Sequence, residues 1–354
     1  MIEQDDLRAA VAAGIVTEAQ AASIASLADS RRGARENLKP GDEPFELFKG
    51  FNEVFIVVGM VILAMGWFAV ATVYANPAQG GLIQKAVHVA IAGAVLIWIM
   101  GEYFIRRRRM IAPAIALSIF WAGNALAGFT AAFAEPFMIG QEDYQSLPLP
   151  AALATVAIFV FWLRFRVPFA MAMIALGAFI VALVWTAAGA GTPQSAEDIF
   201  LLSSDGPFAL VTLLIGVAVF AAAMVFDMSD PHRVTRRSKN GFWLHVVAAP
   251  ALVNTVALTL FTAGTNTAYL LLAIVLLIFA LIAIIIDRRS FLIAAVGYCV
   301  ALSSAVFGGE GGGYSILILG ASLVILGAAW ERLRATLLRL FRPVLPLDRL
   351  PPSV

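Results

Sequence analysis

Cysteine and charge are both scarce in this chain. One cysteine, Cys299, occurs in 354 residues, and it sits inside an apolar run. That excludes a disulfide framework and a thiolate metal cluster within the chain, and leaves Cys299 as a small core residue. Histidine is nearly as rare: His88, His232 and His245 show no metal-ligand spacing. GGEGGG at Gly308 to Gly313 lacks the strand and helix of a phosphate loop, and Gly320-Ala321-Ser322 lacks the second glycine of a nucleophile elbow. Asp227, Asp230 and His232 read as a solvated loop. No catalytic residue, metal site or cofactor is expected, and the chain does not read as an enzyme.

Only 13% of residues are charged, against 61% hydrophobic, with a mean hydropathy of +0.89. No soluble globular domain has such a composition, so the chain reads as all-α and polytopic in a membrane. The opening MIEQDDLRAA has no basic region and no cleavable apolar stretch, so the first apolar run is expected to remain. Continuous apolar runs of roughly 17–25 residues mean helices rather than barrel strands.

About ten transmembrane helices are expected: Phe55–Tyr74, Ala86–Ile105, Met110–Ala132, Leu149–Phe165, Pro168–Ala187, Pro207–Phe226, Phe242–Thr262, Tyr269–Ile286, Phe291–Phe307 and Tyr314–Trp330. Lys and Arg are absent from every second loop, around Glu135 to Ser146, Glu197 to Asp205, Gly264 to Thr267 and Gly308 to Gly313. The intervening loops carry Arg106 to Arg109, Arg164 and Arg166, Arg233 to Lys239, and Arg288 with Arg289, and Lys85 is the one exception. Basic loops stay in the cytoplasm, which puts both termini there.

Four parts follow in order. Residues 1–40 form a helical hairpin, closed at Gly14 and restarted by the capping box of Thr17 and Gln20. Residues 41–54 are a linker and interfacial helix with Phe45 and Phe48, and residues 55–330 are the ten-span bundle. Residues 331–354 form a cationic amphipathic helix and an extended Pro-rich tail. Leu333, Leu337, Leu340 and Phe341 share a side of that helix, with Arg332, Arg339 and Arg342 turned toward anionic headgroups on the cytoplasmic face. The hairpin has too little apolar surface to stand alone, so it is expected to dock on the bundle, on lipid, or on a protein partner or second copy. Nothing points to nucleic acid.

The span through NGFWLHVVAAPALVNTVALTLFT is expected to be central. Pro250 frees the carbonyl of Val246, and neighbouring spans are expected to cover that kink. His245, Thr255 and Asn254 there, with Asn124 in the third span, are the candidate substrate-binding residues; Asn124 and Asn254 also suit interhelical hydrogen bonds. Gly123 with Ala127 and Gly297 with Ala301 suit close backbone approach. Glu102, Asp227 and Asp287 each end a span before a basic loop, with Arg164 in the matching place of the remaining hairpin. RRMIAPAIALSI and RRSFLIAAVGYC look alike, although hairpins of fixed thickness give such spacing without duplication.

DLRAAVAAGIVTEAQAASIASLAD followed by FNEVFIVVGMVILAMGWFAVA resembles bacterial predicted-membrane-protein families of the domain-of-unknown-function type, in which a helical hairpin precedes a multi-span unit. FWLHVVAAPALVN and IDRRSFLIAAVGY are similar to segments of such proteins. The resemblance implies an inner-membrane location and no particular activity. Ten spans with both ends inside are also similar, at fold level, to the drug/metabolite transporter superfamily; the N-terminal hairpin and long outer loops depart from it. Two functions follow as expectations. One is a permease-like carrier of a small neutral or lipid-like solute, since no charge lies at mid-depth. The other is a non-transporting scaffold or sensor acting through the hairpin and the C-terminal amphipathic helix.

Overall fold

The computed structural model describes residues 9–17, 20–21, 23–24, 51–75, 80–135, 143–203, 206–231, 233, 235–307, 312–343 and 346–351. These residues are helical with short connections, and contain no strand. The helices are α1 (Phe51–Tyr74), α2 (Leu82–Gly101), α3 (Ala112–Phe133), α4 (Pro148–Phe165), α5 (Phe169–Ala190), α6 (Phe208–Met228), α7 (Arg236–Thr262), α8 (Asn266–Ile286), α9 (Ser290–Phe307), α10 (Gly312–Ala328) and α11 (Trp330–Leu340). Eight of them, α1 to α8, are long and apolar enough to cross a membrane. The chain is a multi-pass helical membrane protein.

Lipid leaves no choice but to pair every backbone group within a helix, so long apolar runs become helices and prolines collect where an amide is spare. Pro113 and Pro148 stand in the first turns of α3 and α4, and Pro168 and Pro207 precede α5 and α6. Pro250 is the interior exception. Its ring is exposed, while Val246, whose carbonyl it frees, is half-buried. The opposite face of α7 is the buried one: His245, Ala248, Ala249 and Thr255 are fully enclosed.

Packing repeats along the chain. α3 packs on α1, α2, α4 and α5; α7, four helices later, packs on α5, α6, α8 and α9. α4 lies on α5 as α8 lies on α9. Helices α1–α4 and α5–α8 are thus two units with the same neighbour scheme, and α9 opens a third. The two look-alike arginine-led segments do not coincide in this scheme. One starts α3, the third helix of its unit, and the other starts α9, the first of the next.

The termini of the bundle carry further detail. Thr17 and Gln20 form the expected capping box, with Thr17 N donating to Gln20 Oε1 (2.9 Å) and Gln20 N to Thr17 Oγ1 (3.2 Å), and Gly14 has φ +69°. Most of residues 1–50, including Phe45 and Phe48, lie outside the described residues, as do His232 and Gly308 to Glu310. The C-terminal tail is not simply extended. It makes a turn at Leu347–Arg349 and comes back so that buried Arg334 on α11 donates to the carbonyl of Pro351.

Candidate functional site: a buried ionic cluster at the arginine-rich end

Asp227 ends α6 one residue before its last, and α7 lies against it through Gly241. A Cβ at Gly241 would stand 2.2 Å from Asp227 Oδ1, so only glycine lets the carboxylate sit this close to the α7 backbone. One turn further on, the buried His245 brings Nε2 to 2.9 Å from Asp227 Oδ2. Arg288, in the connection from α8 to α9, completes the set with a two-pronged contact: Nε donates to Oδ2 (2.9 Å) and Nη2 to Oδ1 (2.5 Å). Its Nη2 also donates to the carbonyl of Ser238 (2.9 Å). Arg288 is 2% exposed, so this guanidinium has left water entirely and depends on Asp227 for its charge balance. Phe220 and Phe291 meet the imidazole of His245 at 5.5 and 6.0 Å between ring centres.

Beside this trio stands a second one. Asp287 takes the left-handed conformation (φ 56°) that ends α8, and its carboxylate accepts from Arg233 Nη1 (3.0 Å) and Trp330 Nε1 (2.7 Å). Arg233 Nη2 donates to the carbonyls of Asp287 (2.7 Å) and Ile286 (3.3 Å), closing the buried C-terminal turn of α8 with a cation. Asp230 Oδ2 accepts from the amide and hydroxyl of Thr235, both at 2.8 Å, and Thr235 Oγ1 in turn accepts from Arg237 N to start α7. Burial lowers the pKa of Arg334, Asp287 raises it and Arg233 lowers it again; a guanidinium nonetheless keeps its charge.

The solvated-loop reading of Asp227 and Asp230 is therefore corrected: both carboxylates are buried, 7% exposed, and engaged. His245 is buried as well, because Gly241 and Asp227 give it a polar place to enter. Among the described residues no three His, Cys, Asp or Glu side chains gather as a metal-ligand set.

The other sequence-derived residues lie elsewhere. Asn124 on α3 donates Nδ2 to the carbonyl of Ala90 on α2 (2.9 Å), filling the space of Gly93, where a Cβ would fall 2.5 Å from Asn124 Oδ1. Trp121 makes the matching bond on the other flank, Nε1 to the carbonyl of Ala157 on α4 (2.9 Å). Gly128 rather than Gly123 makes the close approach, to Ala90, and Gly297 likewise faces open space. Thr255 turns its hydroxyl onto its own helix at Ala251 O (2.6 Å), and Asn254 is half-buried on α7. α5 stands between α3 and α7, so Asn124 does not join Asn254, Thr255 and His245 at one crevice. Arg332, Arg339 and Arg342 are all exposed, as are Leu333 (38%) and Leu340 (69%), while Trp330, Arg334 and Leu338 form the stripe that faces protein.

Sequence reasoning missed Arg288 and Asp227 as partners. The available signal was Gly241 four residues before His245, a small residue and a polar one on the same face of a helix. No family model matches the chain, and neither a curated protein nor a solved structure does.

Proposed function

We propose that the protein is an integral inner-membrane protein of ten spans, with both termini in the cytoplasm, that works as a non-transporting scaffold or sensor of the cytoplasmic membrane surface. The alternation of basic and non-basic loops supports the orientation, and α9 and α10, of 18 and 17 residues, supply the ninth and tenth spans. The N-terminal hairpin fits the same reading as a docking unit, similar to those of the domain-of-unknown-function families with this layout.

The observation that carries the reading is the double contact of Asp287. Through Trp330 it holds the surface helix α11, and through Arg233 it holds the segment between α6 and α7. A change at α11, whose exposed leucines and arginines suit an anionic leaflet, is thereby conveyed to buried charge in the bundle. A permease-like carrier draws on Asn124, Asn254, Thr255 and His245 acting together, and α5 stands between the first of these and the rest.

Hydrogen exchange on the full chain in nanodiscs tests this. Replacing phosphatidylcholine with phosphatidylglycerol is expected to protect α11 and the 227–245 segment together. Trp330→Phe, which keeps the ring but lacks the N–H, is expected to leave protection of α11 in place and release the 227–245 segment. Independent responses of the two segments in the unaltered protein overturn the reading.

A further inference from the structure

An open groove of 390 Å³ runs between α1 and α3, walled by Val54, Val58 and Val61 on one side and Ala112, Ile119 and Phe120 on the other. The side chains lining it are apolar, and it opens laterally, with Val58 51% and Ile119 48% exposed. The matching place in the second unit, between α5 and α7, is closed. There Ala175, Phe179, Leu244 and Ala248 are buried in one cluster, and α4 flanks α5. Among the described helices none precedes α1 to flank it in the same way.

One end of the groove is basic. Glu53 on α1 is buried, and its Oε2 accepts the amides of Ile111 (3.2 Å) and Ala112 (3.0 Å) at the start of α3. That carboxylate is occupied by backbone, and it pins the arginine loop to the groove mouth. In the loop, Arg106 is held by Glu102 (3.1 Å) and Arg108 donates Nε to the hydroxyl of Tyr103 (3.2 Å). Arg107 and Arg109 are exposed and have no carboxylate partner among the described residues. Arg109 is three residues from groove-lining Ala112, which keeps its Cα within about 10 Å of the mouth.

An apolar groove open on its lateral side, its mouth within chain reach of the exposed and unneutralised Arg109 and beside the loop that carries Arg107, has the chemistry of one class of molecule. We infer that the groove between α1 and α3 holds an acyl chain of an anionic phospholipid whose phosphate is bound by Arg107 and Arg109. Guanidinium groups bind phosphate oxygens in pairs, and each adds attraction for an anionic lipid over a zwitterionic one. The site is remote from α11 and independent of the role proposed for it.

Photolabelling with phosphatidylglycerol carrying a diazirine in its acyl chain, against phosphatidylcholine with the same label, tests the site on the full chain in nanodiscs. Peptide mapping is expected to place adducts on the groove walls, with roughly tenfold more from phosphatidylglycerol. Val58→Trp, which narrows the groove from an exposed wall, is expected to abolish them. Arg107→Gln with Arg109→Gln is expected to bring labelling down to the phosphatidylcholine level, and the two variants approach the site from opposite ends, so misfolding of one leaves the other to decide. Equal labelling by both lipids, no loss in either variant, or adducts joining two copies of the chain through the groove each overturn the inference. Arg332→Gln with Arg339→Gln is expected to leave groove labelling unchanged, which separates this outcome from any failure at α11.

Discussion

Asp227 satisfies three donor atoms with two oxygens, and it does so where water is excluded. The attraction between Asp227 and Arg288 is offset by the cost of stripping both of solvent, so their worth shows only when one is removed. Asp227→Asn strands a buried guanidinium and is expected to cost about 3–5 kcal/mol in detergent-solubilised protein. Asp227→Leu combined with Arg288→Leu is expected to cost less than either single change, because no lone charge remains. Thermal unfolding of Asp227→Asn, the two Leu single variants and the double variant checks this, and a double variant less stable than either Leu single sinks it. The contrast with Glu102 and Arg164 is instructive. That pair, at 2.7 Å, sits at the same level of the first unit but is about a third exposed, where solvent screening leaves a surface ion pair little to contribute.

α3 is held in the first unit by two polar stitches, from Asn124 to α2 and from Trp121 to α4. In lipid such bonds add a modest amount to close packing. Asn124→Leu is expected to lower stability by roughly 0.6–2 kcal/mol without loss of insertion, and Gly93→Ala, which drives a methyl into the same amide, is expected to cost more. Unfolding curves that rank the two variants in the opposite order refute this packing account. Eight long apolar helices were legible from the sequence, because lipid demands uninterrupted apolar length, and the expected ends of helices α4, α8 and α9 lie within three residues of those observed. The start of α7 was not legible. Arg236, Arg237, Ser238, Lys239 and Asn240 lower its hydropathy, yet Thr235 caps the helix before all of them. The ionic cluster stayed hidden for a different reason: its partners come from the end of α6, the third turn of α7 and the connection after α8, and nothing local to Asp227 distinguishes a buried carboxylate from a solvated one. The regular placing of acids before basic loops was its visible trace, and its cause is that an acid ending the second helix of each unit meets an arginine at or just past the end of the fourth.

Two four-helix units with the same neighbour scheme, each with an even number of helices, would begin and end on one side of a membrane. In that arrangement the arginine-bearing loops all gather at one face. With the proposed orientation, single cysteines at Gln145 and Arg236 in a Cys299→Ala background are expected to differ: an impermeant maleimide added to intact cells labels the first and spares the second. Reaction at position 236 from outside inverts the orientation and with it the cytoplasmic assignment of α11.

Arg288 follows Asp227 by 61 residues, two full membrane crossings later. During synthesis the carboxylate must therefore wait at the bilayer edge, first bare, then beside His245, until the ribosome has delivered the connection after α8. The ionic cluster can close only at that moment.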